Sequence, residues 1–450
     1  MSMHLLLSQI AEVLGCEAPR EDTQISGVVI DSRKVEAGSL FVALTGEHVD
    51  GHDYVSIARQ AGASAAIVST LQDDVLPQLV VDDVVKAFGE LAGYWRQQCR
   101  AKIVAITGSN GKTMVKEMVA SILERQGSVV ATLGNLNNDL GVPLTLSRLS
   151  RDTDYAVIEM GANHPGEIAA LVDIVRPDVA VINNVADAHL EGFGGIEGVA
   201  KAKSEIFSGL SESGIGIINA DMDFIDDWKQ VLTGRLHTTF ALDNTADLTA
   251  KDIQLGSTAS HFMVDLDDVL HYIDLPLPGL HNIANSLAAI AATTALNISI
   301  SNIVKGLSDV KGAPHRLQLR AGIHQSQLID DSYNANPGSY KQALITLSAF
   351  SGEHWLVLGD FAELGDESEQ LHFKLGLDAR ALNVNRLLTI GNQSQRASDA
   401  FGDNAEHFSD VVMLQNYLET ELTQGVTCLI KGSRFMKLDQ LADALAVGES

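Results

Sequence analysis

Ala105-Ile106-Thr107-Gly108-Ser109-Asn110-Gly111-Lys112-Thr113 closes an apolar run and opens a helical pattern. Glycines at such a junction free backbone N–H groups to face phosphate oxygens, and the helix N-terminus adds positive potential. Lys112 brings a charge, and Thr113 is placed to reach Mg²⁺. The two glycines stand closer together than in the usual P-loop. A glycine-rich strand-to-helix turn is the bland alternative; Gly-Lys-Thr in this context favours phosphate.

Working outward from the loop, apolar runs alternate with helical patterns. The runs are Ile103 to Ile106, Ala156 to Ile158, Val179 to Ile182 and Ile215 to Ile218, with helices expected from Thr113, Pro165 and Glu197. That alternation predicts a parallel sheet wrapped by helices. Leu236 to Leu275 breaks into shorter strands, expected to form an antiparallel extension, and a helix follows from His281 to Leu296. After Gly312-Ala313-Pro314 the alternation restarts at Gln327 to Ile329 and runs to Val426 to Ile430, which predicts a second, doubly wound unit. Before the loop, short β-rich runs at Gly27 to Ile30, Leu40 to Leu44 and Ala65 to Ser69 predict a small α/β module, followed by a helix over Val84 to Gln97.

At 450 residues the chain exceeds one growing core, so two or three domains are expected. A net charge of -27 opposes docking on nucleic acid or anionic lipid, although a local pocket can still be basic. Cys16, Cys99 and Cys428 are scattered and suit a reducing cytoplasm better than a disulfide framework. No apolar stretch approaches the roughly 20 residues that span a bilayer.

Several side chains fall where open α/β sheets bind ligands, beyond strand C-terminal ends. Glu159 ends one strand and is placed to take Mg²⁺, or else is a solvated loop residue. His189 follows another strand by a short loop and could reach the same crevice or simply be a hydrogen-bonded loop histidine. Lys203 lies within a helix and reads, on local sequence, as a surface lysine. Asn282 and Asn285 share a helix face and fit either a purine edge or a helix cap. The polar clusters His315-Arg316 and Asp331 to Pro337 suit turns and caps.

In chain order, Thr107 to Thr113, Glu159-Met160-Gly161, Ala188-His189-Leu190-Glu191, Ala202-Lys203, His281-Asn282 with Asn285, Arg316, and Asp331-Ser332-Tyr333-Asn334-Ala335-Asn336-Pro337 resemble the Mur ligase family over essentially the whole chain. The compact phosphate loop is that family's own form. The resemblance implies an α/β fold of three domains: a small UDP-sugar-binding domain (1–82), a central parallel-sheet P-loop ATPase domain (83–314), and a C-terminal Rossmann-like domain for the incoming dipeptide (315–450). Asp31-Ser32-Arg33-Lys34-Val35 and the segment Gly46 to His52 look like the UDP-binding element of the later-acting ligases. Asp331 to Pro337, Gly134 to Pro143 and Lys431-Gly432-Ser433-Arg434 look like the member that adds D-alanyl-D-alanine to UDP-N-acetylmuramoyl-tripeptide in cytoplasmic peptidoglycan precursor synthesis. The same resemblance implies ATP held by Gly108, Ser109, Asn110, Gly111, Lys112, Thr113, Asn282, Asn285, Arg316 and Asp331. It assigns the UDP-sugar to Asp31, Ser32, Arg33, Asn137 and Asn138, and catalysis to Lys112, His189 and Lys203. One Mg²⁺ would sit on Thr113 and Glu159, and a second on His189 and a carbamylated Lys203. A monomer is expected. The alternatives are a ligase adding the third residue or a folylpolyglutamate synthase-like ligase. Gly-Lys-Thr, and the lack of Gly-x-Gly-x-x-Gly after the first central strand, weigh against a dinucleotide oxidoreductase.

Overall fold

Strands built from near-continuous apolar runs must be covered on both faces, and the central sheet meets that requirement. The computed structural model describes residues 3–17, 22–46, 48–186 and 190–448. Its largest sheet has nine strands, with Lys102–Thr107 between Val179–Ile182 and Tyr155–Glu159. Pairing is parallel from Val129–Ala131 at one edge through Leu248–Leu255, and turns antiparallel over Ser260–Leu266 and Val269–Leu275. The expected antiparallel extension is therefore two strands long, because Leu236–Ala241 and Leu248–Leu255 still continue the parallel order.

Helices Lys112–Leu123 and Leu280–Ala295 pack on one face, where Val115, Met118 and Ile122 meet Ile283, Leu287 and Ile290 with no solvent exposure. Each such side chain contributes about 2 kcal/mol by leaving water. Helix Val84–Gln97 serves the other face and shares one core with the N-terminal module. Asp83 caps that helix through the Lys86 amide, and the Trp95 indole N–H donates to the Leu149 carbonyl (3.0 Å).

The N-terminal module holds a four-stranded parallel sheet in the order Val28–Val29, Leu40–Val42, Ala65–Val68, Gln78–Val80. The C-terminal sheet has six strands, with Val426–Lys431 inserted between Gln327–Asp331 and Glu353–Gly359. Helices Pro337–Ser348, Ser368–Ala381 and Gln395–Phe401 cover one face of it, and Val411–Glu421 and Leu438–Leu445 the other. Among the described residues, no helix is long and apolar enough to cross a membrane.

Candidate active site

Strand Lys102–Thr107 delivers the loop Gly108-Ser109-Asn110-Gly111 to the C-terminal edge of the central sheet, where helix Lys112–Leu123 begins. Gly111 stands at that helix's N-cap with φ +76°, a left-handed conformation that side chains resist. A Cβ there would lie 2.4 Å from Asn285 Oδ1 and 2.7 Å from Asn183 Nδ2. The sequence places glycine where the backbone must both turn and make room.

Around the loop a chain of carboxamides fixes its shape. The Asn183 amide donates to the Asn110 carbonyl (3.0 Å) and to Asn285 Oδ1 (2.8 Å). Asn285 in turn donates to Asn282 (3.4 Å), and Asn282 to the Pro278 carbonyl (2.8 Å). Asn184 accepts from the Asn110 amide at 2.8 Å. Asn282 and Asn285 are thus buried in this network and line the cavity; the N-cap of their helix is Gly279, not an asparagine.

The C-terminal domain closes the site from the other side. Asn336 caps helix Pro337–Ser348, its Oδ1 accepting from the Ser339 amide at 2.8 Å. That bond orients the carboxamide, so its Nδ2 donates to Asn110 Oδ1 (2.8 Å). Lys431, fully buried, pairs with Asp331 and donates to the Asn334 carbonyl (3.1 Å). Burial raises the Asp331 carboxyl above its ordinary value, against the pull of the Lys431 ammonium. Replacing Lys431 with methionine leaves that carboxylate without its cation, at an expected cost of about 3–5 kcal/mol in urea unfolding at neutral pH. A loss below about 1 kcal/mol would show that the pair is dispensable.

Between the two domains lies a cavity of about 660 Å³. Loop residues Gly108 to Thr113, with Asn137, Asn138, Glu159, Lys203, Asn282, Asn285, Arg316 and Asp331, all line it. In a chain of net charge -27, this pocket is balanced in charge, with Lys112, Lys203, Arg316 and Lys431 set against Glu159, Glu167, Asp221 and Asp331. The Lys112 ammonium folds onto its own loop, donating to the Gly108 carbonyl (2.7 Å) and the Ser109 carbonyl (3.4 Å). Burial lowers its pKa, opposed by Glu159 and assisted by Arg316.

Lys203 departs from its surface reading. It is 4% exposed, and burial, assisted by the charge of Lys112, lowers its pKa to about 7. Glu159, 1% exposed, accepts from the Thr113 hydroxyl (2.9 Å) and the Asn137 amide (2.8 Å). A buried carboxylate and a hydroxyl beside a phosphate-type loop form an oxygen donor set suited to Mg²⁺. His189 lies outside the described residues, as does Glu47 of the Gly46 to His52 segment. The one cluster of three metal-ligand side chains found among the described residues is His315, Asp330 and Asp443. Arg320 bonds both of its carboxylates, so that cluster is a satisfied ion-pair network.

Asp31, Ser32 and Arg33 do not join this cavity. They form a short 3-10 turn beyond strand Val28–Val29, where the Asp31 carboxylate accepts from the Arg33 amide (3.0 Å) and guanidinium (2.9 Å). The Arg33 hydrogen bonds hold the Asp31 carboxyl at a pKa of about 2. Sequence reasoning gave no role to Asn183, Asn184, His281 or Tyr333. The strand-end rule that singled out Glu159 applies equally to Asn183-Asn184, which directly follow Val179–Ile182. His281 carries no such signal: its Nε2 is buried without a partner among the described residues, and burial lowers its pKa to about 4.

Three family models match successive parts of the chain: residues 24–95 (Mur ligase family, catalytic domain), 106–293 (Mur ligase middle domain) and 315–434 (Mur ligase, glutamate ligase domain). The UDP-N-acetylmuramoyl-tripeptide–D-alanyl-D-alanine ligase of Escherichia coli K12 is 46% identical, over 98% of both chains. A crystal structure of MurF from Acinetobacter baumannii superposes with a TM-score of 0.91 at 36% identity, covering 98% of this chain and 99% of that one. MurF from Thermotoga maritima in complex with ADP gives 0.82 at 27% identity, covering 93% and 96%. With family models in chain order and a full-length relative at this identity, the chain belongs to the Mur ligase family.

Proposed function

We propose that this protein is an ATP-dependent amide ligase that joins D-alanyl-D-alanine to UDP-N-acetylmuramoyl-tripeptide in cytoplasmic peptidoglycan precursor synthesis, acting as a monomer. The observation that carries this reading is the cavity itself. It brings the phosphate loop and its lysine together with a buried Glu159 and with Arg316 and Asp331 from the C-terminal domain. Full-length likeness to relatives named for this reaction supports the choice of substrates. Segments 1–82, 83–314 and 315–450 are assigned to UDP-sugar, ATP and dipeptide.

ATP phosphates rest on the Gly108 to Thr113 backbone, with Asn282, Asn285, Arg316 and Asp331 toward the rest of the nucleotide. The terminal carboxylate of the tripeptide attacks the γ-phosphorus, an O–P bond forms, and the bond to the β-phosphate oxygen breaks to release ADP. Lys112 offsets the charge on the moving phosphoryl group. The neutral amine of the dipeptide then attacks the acyl carbon. The resulting tetrahedral adduct expels phosphate, and the amine loses its proton as the amide forms. Thr113 and Glu159 would hold one Mg²⁺, which when bound neutralises phosphate charge.

Lys203 and His189 are assigned to a second Mg²⁺, with Lys203 carbamylated. An ammonium offers no lone pair to a metal, whereas the carbamate offers oxygens. Carbamylation joins the neutral amine to CO₂ with loss of one proton, and a lysine titrating near 7 is neutral often enough to react.

Mass spectrometry of the product tests the reaction. Amide formation is expected only with ATP, the UDP-tripeptide and the dipeptide together; efficient product with diaminopimelate in place of the dipeptide would move the enzyme one step earlier. For the UDP-sugar, changing Ser32 and Arg33 together is expected to raise its KM about tenfold. An unchanged KM would make that turn structural only.

A further inference from the structure

Tyr333 carries two cations. The Arg316 guanidinium carbon lies 4.1 Å from the ring centroid and that of Arg434 lies 5.4 Å away. Each is attracted by the ring face, but they repel one another, so gathering both over one ring suits a site where anions answer them. Arg316 has no carboxylate partner among the described residues and lines the cavity assigned to ATP. Its anion is the nucleotide. Arg434 has one carboxylate partner among the described residues, Asp439, which its Nη1 reaches at 2.8 Å; a guanidinium carries further N–H groups for a second anion.

Arg434 stands at the topological switch point of the C-terminal sheet. Strands Glu353–Gly359 and Val426–Lys431 are adjacent and parallel, yet the chain leaves them for helices on opposite faces, Ser368–Ala381 and Leu438–Leu445. Open α/β sheets bind ligands in the crevice such a divergence makes. The two exit loops are tied together, the Ser433 amide donating to the Asp360 carbonyl (3.1 Å) and the Ala362 amide to the Ser433 hydroxyl (2.8 Å). The Asp360 carboxylate is engaged by the amides of Asn392, Gln393 and Ser394. Lys431 is engaged by Asp331. Arg434, with a side chain 55% exposed and Nη1 donating to Asp439, and Lys437 are the cations this turn presents to solvent, and of the two it is Arg434 that lies over Tyr333.

We propose that Arg434 binds the terminal carboxylate of the incoming dipeptide and that Tyr333 is the positioning residue that keeps this cation in register with Arg316. The inference rests on the ligase reading above. A dipeptide about to attack must present a neutral amine, which leaves its carboxylate as the one charged handle. A planar guanidinium suits that handle, because two parallel N–H groups match two carboxylate oxygens. Tyr333 then links the nucleotide end of the site to the carboxylate end of the dipeptide.

Steady-state kinetics with D-alanyl-D-alanine and with its C-terminal amide test this directly. The unaltered enzyme is expected to show a KM about 10- to 100-fold lower for the acid than for the amide, the scale of a charge-assisted hydrogen-bond pair. Arg434→Ala should raise the KM for the acid to that of the amide and leave the KM for ATP unchanged. Tyr333→Leu should raise both KM values, since both guanidiniums lose their ring. An unchanged acid KM in folded Arg434→Ala, or equal use of acid and amide by the unaltered enzyme, overturns the proposal. Failure of the unaltered enzyme to join the dipeptide at all would instead overturn the ligase reading.

Discussion

Replacing Lys112 with alanine should lower kcat by about 10³-fold or more while the chain stays folded. The ammonium is the cation of the phosphate loop, and its present partners, the Gly108 and Ser109 carbonyls, are loop groups that it would exchange for phosphate oxygens. Burial already holds its pKa down, so removing it also relieves the cost of a desolvated charge. Stability should therefore change little, while phosphate release and product formation collapse together. Paired measurements of turnover and urea unfolding check this. A variant with near-normal rate would remove the phosphate-loop assignment.

Lys203→Met should do two things at once. Turnover should fall by about 10²-fold or more, because methionine offers neither a carbamate nor a proton-accepting amine. Stability should rise at neutral pH. The folded-state pKa of Lys203 is lowered to about 7 from 10.5. Below about pH 7 both folded and unfolded chains hold the proton, and the fold bears the full cost of a buried ammonium. Between about 7 and 10.5 the unfolded chain keeps the proton and the folded chain gives it up, so the stability of the unmodified protein climbs with pH. Methionine removes that dependence. In CO₂-free buffer the variant should be more stable by up to about 4 kcal/mol near pH 7, with the gap closing toward pH 10.5. A gap that does not change over this range would mean that the lysine is not buried as a charge. Short carboxylates should restore part of the lost activity.

Much of the scaffold was legible because its signals are local. Helix Val84–Gln97 begins at an aspartate cap and keeps Ala87 and Leu91 at helical spacing, and Val179–Ile182 is an unbroken apolar run. Edge strand Val129–Ala131 is three half-buried residues with no alternation to read, and helix Gly141–Ser147 follows a run of asparagines that reads as loop. The chemistry divided in the same way. Gly108 to Thr113 announces itself within one turn of chain. Lys203 does not, since its burial comes from the surrounding fold, and its helix looks like any solvated one. The Asn183–Asn285 contact joins residues 102 positions apart, and Asn336 reaches Asn110 across 226. In both cases the local sequence shows at most a cap or a strand end. Family likeness, not periodicity, pointed to Lys203, Asn110 and Asn285, whereas Asn183 and Asn336 join the site only through the fold.

The acyl-phosphate route is the central claim, and it can be followed by a single atom. If the terminal carboxylate of the UDP-tripeptide is labelled with ¹⁸O, one labelled oxygen must leave on phosphorus when the amine displaces the acyl phosphate. Phosphate recovered after one turnover with ATP and D-alanyl-D-alanine should therefore carry one ¹⁸O per amide formed. Amide formed alongside unlabelled phosphate would mean that ATP is cleaved by water and that the carboxylate is never phosphorylated, which contradicts the account.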